Sequence, residues 1–130
     1  MNGAAELYGS TLVLKTKGEL TDDTLPAFQE EVRHHLAGSD VRDLVLDLET
    51  VTYLDSAALE YVLTLQDMLA EKLGQVRLAG ADENVRKILE MTRLDEDFEM
   101  YGEVSAAVKA ARKFSGVSRG PKASLPSGPS

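Results

Sequence analysis

Asp55 and Ser56 are the residues whose types and placing point most directly to chemistry. They follow an apolar run, Leu44-Val45-Leu46-Asp47-Leu48, that reads as a buried strand, and they precede a long pattern of helical period. They therefore lie where a strand ends and a helix begins. At such a junction the first backbone N–H groups of the helix lack partners and the dipole end is positive, which suits a negative group. A serine hydroxyl in that position is ready to carry a phosphate. Asp and Ser are also preferred helix N-caps, so either side chain could serve only to satisfy one orphan amide, worth about 1 kcal/mol. Spacing alone leaves both readings open.

Other chemistries lack their residues. A serine hydrolase needs a base and a nucleophile elbow, and no Gly-x-Ser-x-Gly surrounds Ser56. His34 and His35 are the only histidines and no cysteine accompanies them, so no metal-ligand set forms and they read as solvated helix residues. Gly80 does not open a phosphate-binding loop, because no second glycine with a Lys-Ser/Thr pair follows. Without cysteines there is neither a disulfide framework nor thiolate chemistry. The net charge of -8, from 22 acidic and 14 basic residues, argues against binding nucleic acid and suits solubility or a basic protein partner. No apolar run is long enough for a membrane span and the first residues lack the form of a secretory signal, so a cytoplasmic protein is expected.

The elements that position Asp55 and Ser56 follow from periodicity. At 130 residues there is room for one core. Leu7 begins an edge hairpin that breaks at Gly9-Ser10 and continues over residues 11–17, half-buried, with Lys15 and Lys17 on the solvent face discouraging edge pairing. Thr21-Asp22-Asp23-Thr24 with Pro26 reads as a helix start. Leu25, Phe28, Val32 and Leu36 then form an apolar face, and Gly38-Ser39 a stop. The strand over 43–48 is apolar enough to be central, with Asp47 read as a structural carboxylate rather than a neighbour of Ser56. The longest helix spans 57–73, burying Leu59, Val62, Leu63, Leu65, Met68, Leu69 and Leu73 while Glu60, Tyr61 and Gln66 face away, and Gly74 ends it. A strand over 75–79, a helix with Val85, Ile88, Leu89 and Thr92 on one face, a short strand over 98–101 and a helix over 104–113 complete the pattern. This alternation implies an α/β fold whose sheet is mixed but mostly parallel, with about four helices packed on it. Residues 1–114 form the domain, and residues 115–130, rich in Gly, Pro and Ser, form a disordered tail whose Arg119 and Lys122 are solvated.

Several blocks together resemble one family. Gly18-Glu19-Leu20, the block from Leu44 to Leu59 with Tyr53-Leu54-Asp55-Ser56-Ala57, the strand Val76-Arg77-Leu78-Ala79-Gly80, and Val85-Arg86-Lys87-Ile88-Leu89 leading to Thr92-Arg93-Leu94-Asp95 are similar to STAS domains, which include bacterial anti-sigma factor antagonists. In two places the chain departs from the pattern: Ala58 stands where antagonists usually carry glycine, and Thr21 where many members carry aspartate. The resemblance implies a phosphorylation site at Ser56. It also implies a partner surface formed by Thr21, Asp22, Tyr53, Leu54, Asp55, Ser56, Ala57, Ala58 and Leu59. The implied partners are an anti-sigma factor serine kinase and a phosphatase, with no cofactor and no catalytic or metal-binding residue in this chain. A non-switching STAS subunit of a transporter or sensory scaffold is the rival expectation, with Ser56 merely an N-cap, and a small-ligand module is a third.

Overall fold

Short apolar segments alternating with amphipathic helices bury their apolar faces when a sheet is covered by helices. The computed structural model shows this arrangement; it describes residues 5–37 and 40–114, so the expected cap at Gly38-Ser39 and the tail over 115–130 lie outside the described residues. The elements are β1 (Ala5–Tyr8), β2 (Thr11–Leu20), α1 (Leu25–Ala37), β3 (Asp43–Leu54), α2 (Ser56–Ala70), β4 (Val76–Ala79), α3 (Glu83–Met91), β5 (Glu99–Tyr101) and α4 (Val104–Phe114). A 3₁₀ turn over Leu94–Glu96 precedes β5. The strands lie in chain order, β1-β2-β3-β4-β5, with β1 antiparallel to β2 and the other pairs parallel.

Side-chain alternation divides the core between the two sheet faces. Leu12, Leu14, Leu44, Leu46 and Leu78 face α1, α2 and α3, where Phe28, Val32, Val62, Leu65, Leu69, Val85 and Leu89 meet them. Val13, Val45 and Ala79 face α4 and pack against its Ala107. This second cover explains why Thr11 to Leu14 are all buried rather than half-buried. Lys15 points to the α4 side and is drawn to Asp47 and Glu49, with N–O distances of 3.7 and 3.8 Å.

The central strand is longer than its apolar run. β3 continues to Leu54 because the β2–β3 register slips by one residue between Lys15 and Lys17 and again between Gly18 and Glu19. Each slip is a bulge that inserts one residue into β3 and reverses the side-chain parity beyond it. Leu48, Val51 and Leu54 therefore all face inward at a spacing of three, which hides the strand from a period-two reading. The first bulge is held by the Glu49 N–H donating to Asp47 Oδ1 (3.0 Å) and by Thr50 Oγ1 donating to the Thr16 carbonyl (2.9 Å). Asp47 is thus a structural carboxylate, as expected from its position.

α2 stops earlier than its apolar pattern. It ends at Ala70, and Leu73, in the left-handed region at φ 66°, turns the chain and lies exposed. Gly74 is needed for a different reason than a left-handed cap: a Cβ there would lie 1.7 Å from the Arg42 carbonyl oxygen. Met68 is exposed rather than filling the core, whereas Tyr61 turns inward and meets Phe28 edge-on at 5.8 Å between ring centroids. Gln66 is half-buried and bridges two segments, accepting from the Val76 N–H and donating to the Asp97 carbonyl, both at 2.7 Å. Thr92 is an exposed cap, its hydroxyl donating to the Ile88 carbonyl at 2.9 Å, not a member of the apolar face of α3.

Candidate functional site

The site is built where β2 and β3 run past the end of β4. Leu20 and Leu54 pair in register at the tip of this two-stranded extension, and the Asp55 N–H donates to the Leu20 carbonyl (3.1 Å). The chain leaving β2 is therefore held beside the chain entering α2. Thr24 tightens the turn that follows β2: its hydroxyl donates to the Glu19 carbonyl (2.8 Å) and accepts from the Thr21 N–H (2.9 Å).

Asp55 joins the two segments and settles which side chain is the cap. Its Oδ1 accepts from the Ala58 N–H (2.9 Å), the bond of an N-cap to the third residue of the helix. Its Oδ2 accepts from the Asp22 N–H (2.8 Å), 33 residues earlier in the chain. Sequence spacing could show the first bond but not the second, which depends on the β2–β3 register.

Ser56 is then the first residue of α2 and is exposed. With the cap supplied by Asp55, the Ser56 hydroxyl makes no hydrogen bond among the described residues. It stands at the positive end of a fifteen-residue helix, with amides of the first turn still open to an anion. A phosphate attached here would meet those amides and also the negative charges of Asp55 and the exposed Asp22 and Asp23.

The nine residues expected to form the partner surface divide by burial. Thr21, Asp22, Tyr53, Asp55, Ser56 and Ala57 are exposed or half-buried around the helix start, and Tyr53 is 44% exposed. Leu54, Ala58 and Leu59 are buried in the core and offer a partner no side-chain surface. Leu54 lies on the inward parity of β3, while Ala58 and Leu59 begin the buried stripe of α2. The methyl of Ala58, 1% exposed, accordingly faces the core rather than an incoming partner.

Comparison with known proteins places this geometry. A STAS domain profile matches residues 3–107. A STAS-domain containing protein of Pseudomonas aeruginosa is 39% identical over 59 residues, a match covering 45% of this chain; the chain spans 58% of the length of that curated relative. Among solved structures, an anti-sigma factor antagonist from Mycobacterium paratuberculosis is similar at 26% identity with a TM-score of 0.71, covering 85% of this chain and 93% of that one. The Bacillus anti-sigma factor antagonist SpoIIAA, unphosphorylated, shares the fold at 19% identity and a TM-score of 0.74, covering 86% and 97% of the two chains. Part of the murine anion transporter Slc26a9 shares it too, at 16% identity and a TM-score of 0.71, covering 83% of this chain and 18% of the transporter. Among the described residues no helix is long and apolar enough to cross a membrane.

Proposed function

This chain belongs to the STAS domain family, and we propose that it acts as an anti-sigma factor antagonist, a binding protein rather than a catalyst, switched by phosphorylation at Ser56. With Ser56 unmodified, the face formed by Thr21, Asp22, Tyr53, Asp55, Ser56 and Ala57 binds an anti-sigma factor serine kinase in the cytoplasm and frees a sigma factor. The kinase supplies the nucleotide and transfers the phosphoryl group to the Ser56 hydroxyl, and a phosphatase reverses the step.

The observation that carries this reading is the division of labour between Asp55 and Ser56. Asp55 supplies the cap, so the serine hydroxyl is exposed and spare at the helix start. Phosphorylation adds about 1.5 to 2 negative charges at that point. The helix N-terminus accommodates them, so the fold changes little, while the added charge and its hydration oppose docking of the partner. SpoIIAA, which shares the fold, has been solved in a phosphorylated form as well.

A second reading, a non-switching subunit of a transporter or scaffold, draws on the likeness to the domain in Slc26a9. In that case Ser56 is never modified, and partner binding is indifferent to its charge. Intact-protein mass and pull-down from the native cell, comparing wild type with Ser56→Ala and Ser56→Asp, separate the two. A phosphate on Ser56, with partner loss confined to the aspartate variant, supports the switch. An unmodified Ser56, with all three forms retaining one partner, refutes it.

A further inference from the structure

A cleft of about 970 Å³ lies on the α4 side of the sheet, the face opposite α2, and no part of the proposed switch uses it. α4 is the sole helix on that face among the described residues, so a trough remains between its flank and the β1–β2 edge. Val104 and Val108, both half-buried, together with Tyr8 give it apolar walls. Lys109, Arg112 and Lys113 line the end nearer the β1–β2 turn, where Arg112 Nη1 comes within 3.9 Å of the position a Gly9 Cβ would take.

The charges of the lining are unevenly matched. At the opposite end, Asp47 and Glu49 are each drawn to Lys15, and Glu103 accepts the Ser105 hydroxyl at 3.0 Å. The three cations of α4 take part in no ion pair among the described residues. In a chain of net charge -8 they form a local positive field beside apolar walls. A cleft of this size with apolar walls and a few convergent polar groups has the form of a small-molecule site. From Val104 to Lys113 the flank is about 14 Å long, at 1.5 Å per residue.

We propose that this cleft binds a soluble organic anion, whose acidic group is held by Lys109, Arg112 and Lys113 and whose apolar body lies along Val104, Val108 and Tyr8. Bases in the last turn of a helix also complement its dipole. That role affects stability alone, so a binding readout separates the two.

The test uses the full chain with 8-anilino-1-naphthalenesulfonate, an aryl sulfonate, against neutral N-phenyl-1-naphthylamine, which lacks the sulfonate. Supporting results are saturable binding of one sulfonate per chain, amide shifts at Gly102, Val104 and Val108, and at least tenfold weaker binding of the neutral probe. Lys109→Glu and Arg112→Glu should each weaken the sulfonate at least tenfold. Gly102→Phe, whose side chain would enter open space within the cleft, should block both probes while leaving the unfolding midpoint near wild type. The proposal is overturned if the sulfonate does not saturate, if the charge reversals lower stability but not affinity, or if the shifts map elsewhere. It is equally overturned if the chain floats with phosphatidylglycerol vesicles but not with pure phosphatidylcholine, and ignores the free sulfonate.

Discussion

Replacing Asp55 by alanine tests the construction of the switch site without reference to any partner. The substitution removes two hydrogen bonds from one carboxylate, to the Ala58 N–H at 2.9 Å and the Asp22 N–H at 2.8 Å. Loss of an N-cap costs about 1 kcal/mol. A hydrogen bond to a charged group contributes about 1.5 to 3 kcal/mol, and the exposure of Asp22 lets water replace part of it, favouring the lower figure. Asp55→Ala should therefore destabilise the chain by about 2 to 3 kcal/mol. Asp55→Asn keeps a capping oxygen but turns an amide donor toward the Asp22 N–H, and should lose about half as much, roughly 1 to 1.5 kcal/mol. Ser56→Ala removes a hydroxyl with no intramolecular bond and should stay within about 0.5 kcal/mol of wild type. Urea unfolding of the four proteins, with m-values compared to confirm a common denatured state, measures the series. An order in which Ser56→Ala costs more than Asp55→Ala would refute the assignment of the cap, and with it the argument that the serine is spare.

Three further expectations follow from Arg77, Gly74 and Tyr101. Arg77 is wholly buried, with Nη1 3.0 Å from Asp43 Oδ1 and Nε 3.1 Å from Glu99 Oε1, so Arg77→Ala should cost about 3 to 5 kcal/mol in urea unfolding. Gly74→Ala puts a methyl into the Arg42 carbonyl and should destabilise by about 3 kcal/mol or more, visible as a lowered thermal midpoint. Burial, then its hydrogen bond and charge interaction with Glu99, push the Tyr101 phenol above its ordinary value of 10, Arg77 pulling the other way. The fold thus favours the protonated phenol: this contribution to stability is complete below pH 10 and is lost as the pH rises through the higher folded value. Tyr8 and Tyr61 are raised as well, so absorbance titration at alkaline pH should show several late-titrating tyrosines, of which Tyr101→Phe removes one.

Most of the architecture was legible because it rests on local periodicity. The elements on either side of the site, the mostly parallel sheet and the helix start at Asp55-Ser56 all follow from apolar spacing and cap residues. What escaped a linear reading depends on pairing between distant segments. The two bulges of β3 break the period-two rule, so its last six residues did not read as strand although they carry the site. The Asp55 bond to Asp22 requires the β2–β3 register, and no spacing along the chain signals it. Burial of Leu54 follows from the bulged parity of β3 and that of Ala58 from the face α2 turns to the core, neither of which the motif encodes, whereas Leu59 already belonged to the apolar face that helical spacing assigns to the core. Leu73 failed as a core residue because helical period was carried past the end of α2, and Met68 because it stands beside the buried stripe that Leu65 and Leu69 fill. Gln66 and Tyr61, read as facing away, are drawn inward by partners on other elements.

The strand order carries a consequence for how the chain comes together. Every strand pairs with its immediate predecessor in the chain, so no pairing waits for a segment that must be threaded between strands already joined. β2 and β3 pair from Thr11 and Asp43 to Leu20 and Leu54, whereas β4 and β5 share only the stretch from Arg77 and Glu99 to Ala79 and Tyr101. The sheet is therefore most deeply laced at its centre and shallowest at the β5 edge, and local opening under native conditions should begin there. The proposed switch residue stands at the tip of the deep seam. A phosphoryl group can thus come and go at a place that stays assembled while the far edge breathes.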